Sequence, residues 1–238
     1  MHRVAHDTWA SILGVLYLGL MVNLLLLVTA SPLVILLITT DPMRSWPLLA
    51  VAAPLAVPAL TAAFGTYRAH GEGETQVVRA FLRVWRATLR GSLLLGVIVV
   101  GLAVVLLVDV RALSDTAASV VVVPVLLLLV ALTAITGLLG AVALAEVPTA
   151  RLRDVLRSSL YLGVRRWYFQ ALSLAVLGVQ VGVFATMPAV AIGITAAPAL
   201  YVVWANGRYC LRPVLDQESV LDQEPVLDDA PAPSDVRA

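Results

Sequence analysis

The sequence predicts an all-α fold: a polytopic membrane helical bundle of six transmembrane helices paired as three hairpins, with two cytoplasmic amphipathic helices. Three observations predict it. First, 61% of the 238 residues are hydrophobic, 13% are charged and mean hydropathy is +0.95, far from the roughly 45–50% apolar and about 25% charged of soluble domains. Second, the apolar residues gather into uncharged runs of about 20 residues, enough to cross about 30 Å of hydrocarbon at 1.5 Å per residue. Third, the charges sit between the runs, and all 16 basic residues are Arg.

Span one, 9–38, follows a short polar lead that carries Arg3, His6 and Asp7. Its uncharged opening, Trp9 to Ala30, exceeds the 7–15 residues of a secretory apolar region, so an uncleaved helix is expected despite the loose cleavage match Val28-Thr29-Ala30. The whole run overshoots a bilayer, which predicts a kink or strong tilt near Pro32. After a polar turn at Asp41, Pro42 and Arg44 comes span two, 46–67, where Pro54 and Pro58 lie four apart on one side. Each proline frees a backbone carbonyl that lipid cannot satisfy, so this side is expected to face the bundle. Ala52, Ala56, Ala59 and Ala63 allow close helix approach.

Gly71 and Gly73 then break the chain before an arginine-studded segment, Gln76 to Arg90. At about 100° per residue Arg79, Arg83, Arg86 and Arg90 share one narrow sector, opposite Val78, Phe81, Leu82, Trp85 and Leu89. The expectation is a first amphipathic helix lying in the headgroup layer, apolar side toward acyl chains and guanidinium groups toward phosphate. Spans three and four, 91–108 and 118–145, are joined by a loop carrying Arg111 and Asp115. Thr149 is placed to cap the second amphipathic helix, with Leu152, Val155, Leu156 and Leu160 opposite Arg153, Asp154 and Arg157. Spans five and six, 168–187 and 188–206, meet in a tight turn at Met187-Pro188. Gly178, Gly182 and Thr186 form a small-residue stripe suited to close packing.

Six spans put both ends on one side, which collects fourteen arginines against two on the other. Positive-inside bias makes that side the cytoplasm, in a multi-pass protein of the cell (plasma) membrane. The membrane domain, 1–212, is basic. The tail, 213–238, repeats Val-Leu-Asp-Gln-Glu, holds seven of the 15 acidic residues and is expected to be a disordered, acidic, low-complexity cytoplasmic segment.

No catalytic constellation is present. There is no nucleophile elbow, phosphate-binding loop or zinc-binding His-Glu-x-x-His. His2, His6 and His70 lack the cysteine or carboxylate companions of a metal set, and Cys210 stands alone. The expectations are therefore no enzyme, no cofactor, no metal and no nucleic-acid partner. No ionisable group lies near a midplane, which disfavours ion-coupled transport. Asn23, Thr61, Thr133, Thr136, Ser173, Gln180 and Thr195 are the polar residues within spans, expected as interhelical contacts. Asn23, Thr61 and Gln180 are the candidates for an intramembrane polar path between spans two and five.

At Pro58-Ala59-Leu60, Tyr67-Arg68, the Gly71/Gly73 turn and Phe81, Trp85 and Arg86, the chain resembles the YesL-like family of bacterial integral membrane proteins, domain of unknown function 624. The likeness extends over roughly Trp9 to Pro213 and is strongest from Pro58 to Arg90. It implies a six-span protein accessory to carbohydrate uptake, with a sugar ABC transporter permease as partner, and supplies no catalytic residues. Three functions follow as expectations. An accessory or scaffold protein would offer Phe81, Trp85, Arg86, Arg79, Arg83 and Arg90 to a partner or a second copy. A small-molecule carrier would use Asn23, Thr61 and Gln180. A membrane enzyme or lipid-binding protein would draw on Arg68, His70, Glu72, Glu74 and Glu146.

Overall fold

A computed structural model describes the backbone of residues 2–223 and the side chains of residues 13–212. The described residues form helices α1 (His2–Thr29), α2 (Ser31–Thr39), α3 (Trp46–Gly71), α4 (Val77–Leu113), α5 (Ser119–Glu146), α6 (Leu152–Arg165), α7 (Trp167–Thr186) and α8 (Pro188–Val190), a π-helical turn (Ala191–Thr195), and α9 (Ala196–Gln223). Among them α3, α4, α5, α7 and the run Pro188–Arg212 are each long and apolar enough to cross a membrane. The bent pair α1–α2 makes a sixth if it counts as one span.

The first span breaks where a kink or tilt was expected. Pro32 has no N–H for the carbonyl of Val28 and its ring crowds that turn, so the helix ends at Thr29 and restarts at Ser31, bent by 78°. In α3, Pro54 and Pro58 are both buried, on the bundle side as expected. Pro58 leaves the Pro54 carbonyl without its intrahelical donor. Gly96 of α4 lies against it: a Cβ there would stand 3.0 Å from that oxygen and 3.1 Å from Pro54 Cα. Helix α4 runs antiparallel to α3, with Gly65 facing Val84 further along, and α5 runs antiparallel to α4 through Gly137 on Val99 and Gly140 on Leu95. Phe64, Phe81, Leu95, Leu139 and Val142 fill the core between these three helices.

The α3–α4 connection is built by Gly73, whose φ of +93° only glycine adopts freely. Its N–H bonds the His70 carbonyl at 3.0 Å and the Glu74 N–H bonds the Ala69 carbonyl at 2.9 Å, the two closing bonds of a Schellman cap.

Several expectations are corrected here. The first amphipathic segment is no separate helix in the headgroup layer; it is the start of a single 37-residue helix, α4, about 55 Å long. A lone glycine such as Gly91 costs a helix only about 1 kcal/mol, which the packing of Val84, Thr88, Ser92 and Leu95 outweighs. Thr149 does not cap α6, which starts at Leu152 behind Arg151 without a side-chain cap. α6 packs lengthwise on α5, Val155 beside Gly140 and Gly163 beside Ile135, while Leu160 is exposed. The Gly178–Gly182 stripe has nothing within 4 Å and makes no close contact among the described residues. At the C-terminal end α9 carries on to Gln223, so the opening of the tail expected to be disordered is helical. Residues 224–238 lie outside the described residues.

Candidate functional site

Helix α4 buries Val77, Ala80, Phe81, Val84 and Thr88 and exposes Arg79, Arg83, Arg86 and Arg90. The buried set recurs at i, i+3, i+4, i+7 and i+11, directly opposite the arginines. It is turned by roughly a quarter-turn from the apolar sector read in the sequence. The face that packs on α3 is therefore the one bearing small residues, and Val78 and Leu82 are left at its flank. Phe81, expected on a partner surface, is fully buried beneath it; Trp85 is half-buried against the core. The arginines are the part of that candidate site the fold leaves available. They form a column rising about 16 Å along the helix. Arg83 is ion-paired with Glu74.

A groove of about 780 Å³ runs beside this column, lined chiefly by Arg79, Arg83, Arg86, Val78 and Leu82 of α4 and by Tyr17 of α1. Two other cavities, near Trp46 and Arg111 and between α4, α5 and α6, are apolar. Asn23, Thr61 and Gln180 line none of the three.

Those polar residues are instead occupied. Asn23, 3% exposed, donates from Nδ2 to the Gly193 carbonyl at 2.8 Å and accepts the Ala197 N–H at 2.7 Å. Gln180 donates to the Ala191 carbonyl at 2.9 Å and accepts the Thr195 hydroxyl at 2.8 Å. The two amides thus brace the π-helical turn from either side. Thr61, Thr133 and Thr136 bond the carbonyl four residues back in their own helix. This corrects the expectation of interhelical bonds, because in a medium of low dielectric a short hydroxyl takes the nearest free lone pair. Thr61 and Gln180 are not brought together.

At the arginine-rich end, Glu146 ties three helices. Its side chain is 6% exposed; Oε1 accepts the Trp204 indole N–H at 3.1 Å and Oε2 lies 3.8 Å from Arg208. Arg68 donates to the Glu146 backbone carbonyl and lies 3.8 Å from Glu72. Each acid of the proposed interfacial set, Glu72, Glu74 and Glu146, is thus held by an arginine. Sequence reasoning missed Tyr67, whose hydroxyl donates to the Ala197 carbonyl at 3.0 Å, and Asn206, which joins Phe169 to Ser173. Asn206 carried the same signal as Asn23 and Gln180, an amide within an uncharged run.

The stretch holding the arginine column, the α4 wall of its groove and the Schellman turn is where comparison with known proteins gives a result. Residues 19–110 match a family described as a protein of unknown function, DUF624. It is the family that the residues from Pro58 to Arg90 resemble. No curated protein and no solved structure matches. The DUF624 match takes in the C-terminal part of α1, then α2, α3 and nearly all of α4, with Asn23, Tyr67, Phe81 and the four arginines. Glu146, Gln180 and the π-helical turn lie beyond it.

Proposed function

We propose that this DUF624-matching chain is a six-span protein of the plasma membrane, folded as three hairpins with both termini in the cytoplasm. It acts as an accessory or scaffold component, docking a protein partner on the arginine column of α4. One observation carries this reading. Arg79, Arg83, Arg86 and Arg90 are exposed on a helix whose opposite face is buried in the core, so the backbone positions that carry the four guanidinium groups are held in fixed register. The engagement of Asn23 and Gln180 with backbone groups supports it, since those amides are committed to holding the bundle shut. The partner that the resemblance implies is a sugar ABC transporter permease.

The test is recovery of partners from native membranes with the full chain, wild type against the fourfold Arg→Glu variant at 79, 83, 86 and 90. Enrichment of a transporter permease by the wild type alone supports the reading. Recovery of no membrane partner, or equal recovery by both chains, overturns it. A second reading, a carrier, is favoured by the π-helical turn, because such turns within helices concentrate at functional sites. It requires solute flux in proteoliposomes that Gln180→Leu abolishes.

A further inference from the structure

Seen down its axis, α4 has three sectors. Val77, Ala80, Phe81, Val84 and Thr88 are covered by the rest of the bundle, the four arginines stand opposite, and between them lie Val78, exposed, and Leu82, partly buried against the core. The apolar flank and Arg79, Arg83 and Arg86 make one wall of the groove; Tyr17 of α1, 47% exposed, stands on the other. Tyr17 also borders a second feature. Leu13, Leu16, Leu20 and Leu24 are 51–64% exposed and, spaced at i, i+3, i+7 and i+11, form one continuous apolar column on α1. The groove therefore has guanidinium groups at one side and opens, past the tyrosine ring, onto a strip of leucines.

This combination selects its occupant. Inorganic phosphate would satisfy the guanidinium groups and leave Val78, Leu82 and the leucine column unfilled. An acidic peptide would set backbone N–H and C=O groups against side chains that neither donate nor accept, a costly mismatch. A zwitterionic lipid would bring its own cation beside Arg79 and Arg86, with Arg83 already paired to Glu74. An amphiphile with an anionic head and an acyl tail meets both halves. We propose that the α1–α4 groove binds one anionic phospholipid, its phosphate on Arg79 and Arg86 beside the Arg83–Glu74 ion pair and an acyl chain passing Tyr17 along Leu20 and Leu24. The headgroup plane then meets α4 between Arg79 and Arg86. The site shares its arginines with the docking column, but its test needs no protein partner.

The full chain, purified and stripped of lipid in detergent, is titrated with phosphatidylglycerol or phosphatidylcholine and bound lipid is counted by native mass spectrometry. The wild type is expected to retain phosphatidylglycerol in preference, and Arg79→Gln with Arg86→Gln to cut that preference about 25-fold, near fivefold for each guanidinium. Arg111→Gln, at the other end of α4, leaves it unchanged. Phosphatidylglycerol with a photoreactive acyl chain is expected to label residues 17–24. Equal retention of the two lipids, no effect of the double substitution, labelling only elsewhere, or displacement by millimolar phosphate or by an acidic peptide would each overturn the assignment. An unchanged melting temperature certifies that the variants are folded. Failure of partner recovery with lipid preference intact removes the docking reading alone, and the reverse outcome removes the lipid site alone.

Discussion

Gly96→Ala tests the α3–α4 interface at the point where proline chemistry and helix packing meet. The added methyl would stand 2.9 Å from Val57 Cγ2, 3.0 Å from the Pro54 carbonyl oxygen and 3.1 Å from Pro54 Cα. Two of those three atoms are backbone, so no rotamer change relieves the contact. Replacing Gly by Ala favours an isolated helix by about 1 kcal/mol, while overpacking costs typically about 1–3 kcal/mol. Parting the helices also uncovers the carbonyl that Pro58 leaves unbonded. The net expectation is a loss of about 1–2 kcal/mol. Gly101→Ala is the control on the same helix, since its Cβ would meet nothing within 4 Å; it should gain up to about 1 kcal/mol. The two variants should then melt about 5–10 °C apart in detergent, at about 2–4 °C per kcal/mol for a chain of this size. Fluorescence of the five tryptophans reads the transition. Adding Val57→Ala to Gly96→Ala should rescue only part of the loss. By contrast Val84→Ala should rescue Gly65→Ala more fully, because all three atoms near the new methyl belong to the Val84 side chain, the nearest at 2.6 Å. If Gly96→Ala melts at or above the wild-type temperature, α3 and α4 are not in contact here and Gly96 does not cover the proline-freed carbonyl.

Phe81→Ala should cost about 3–5 kcal/mol as a core deletion, read by the same melt; a variant of wild-type stability that loses only a partner would return Phe81 to the surface. Asn23→Leu strands the Gly193 carbonyl and the Ala197 N–H at about 1–3 kcal/mol each, and hydrogen exchange at residues 193–197 should quicken; unchanged exchange would dissociate Asn23 from the π-helical turn. Thr61→Val removes a hydroxyl bonded only within its own helix and should shift stability by less than about 1 kcal/mol. Glu146→Ala leaves the Trp204 indole and the Arg208 guanidinium without their carboxylate and should cost about 3 kcal/mol; a change below about 0.5 kcal/mol would show that α5 and α9 are held by apolar packing alone.

What the sequence made legible was the boundary with water. The four arginines of α4, the Gly73 turn, the bend near Pro32 and the bundle-facing prolines of α3 were readable because charge, positive φ and a missing N–H each act within a few residues. The identity of the packed face was not readable in the same way. In a soluble helix the apolar side is the buried side, but in lipid both the bundle and the bilayer accept apolar groups, so hydrophobic periodicity marks only the sector that meets water. On α4 the sequence pattern accordingly puts the apolar sector centred near Trp85 on the lipid side of a helix lying flat, whereas Phe81, at its edge, belongs to the core.

Side-chain size distinguishes the two apolar environments better than hydrophobicity does. Leu13, Leu16 and Leu20 are more than half exposed, while Ala59, Ala62 and Ala63 are wholly buried. Small residues permit backbones to approach, and the dispersion attraction of closely packed backbones replaces the hydrophobic term that lipid removes. Ala80, Val84, Thr88 and Ser92 form such a line on α4 and mark the face that α4 packs. Size is permission, however, and a second surface must accept it. Gly178 and Gly182 are as small as Gly96, yet nothing lies against them, because no described helix of this chain offers a counterpart to Val57 and the bare carbonyl of Pro54 at that place. The proline pair in α3 supplies what a glycine stripe alone lacks, an unsatisfied group whose burial is worth a close approach.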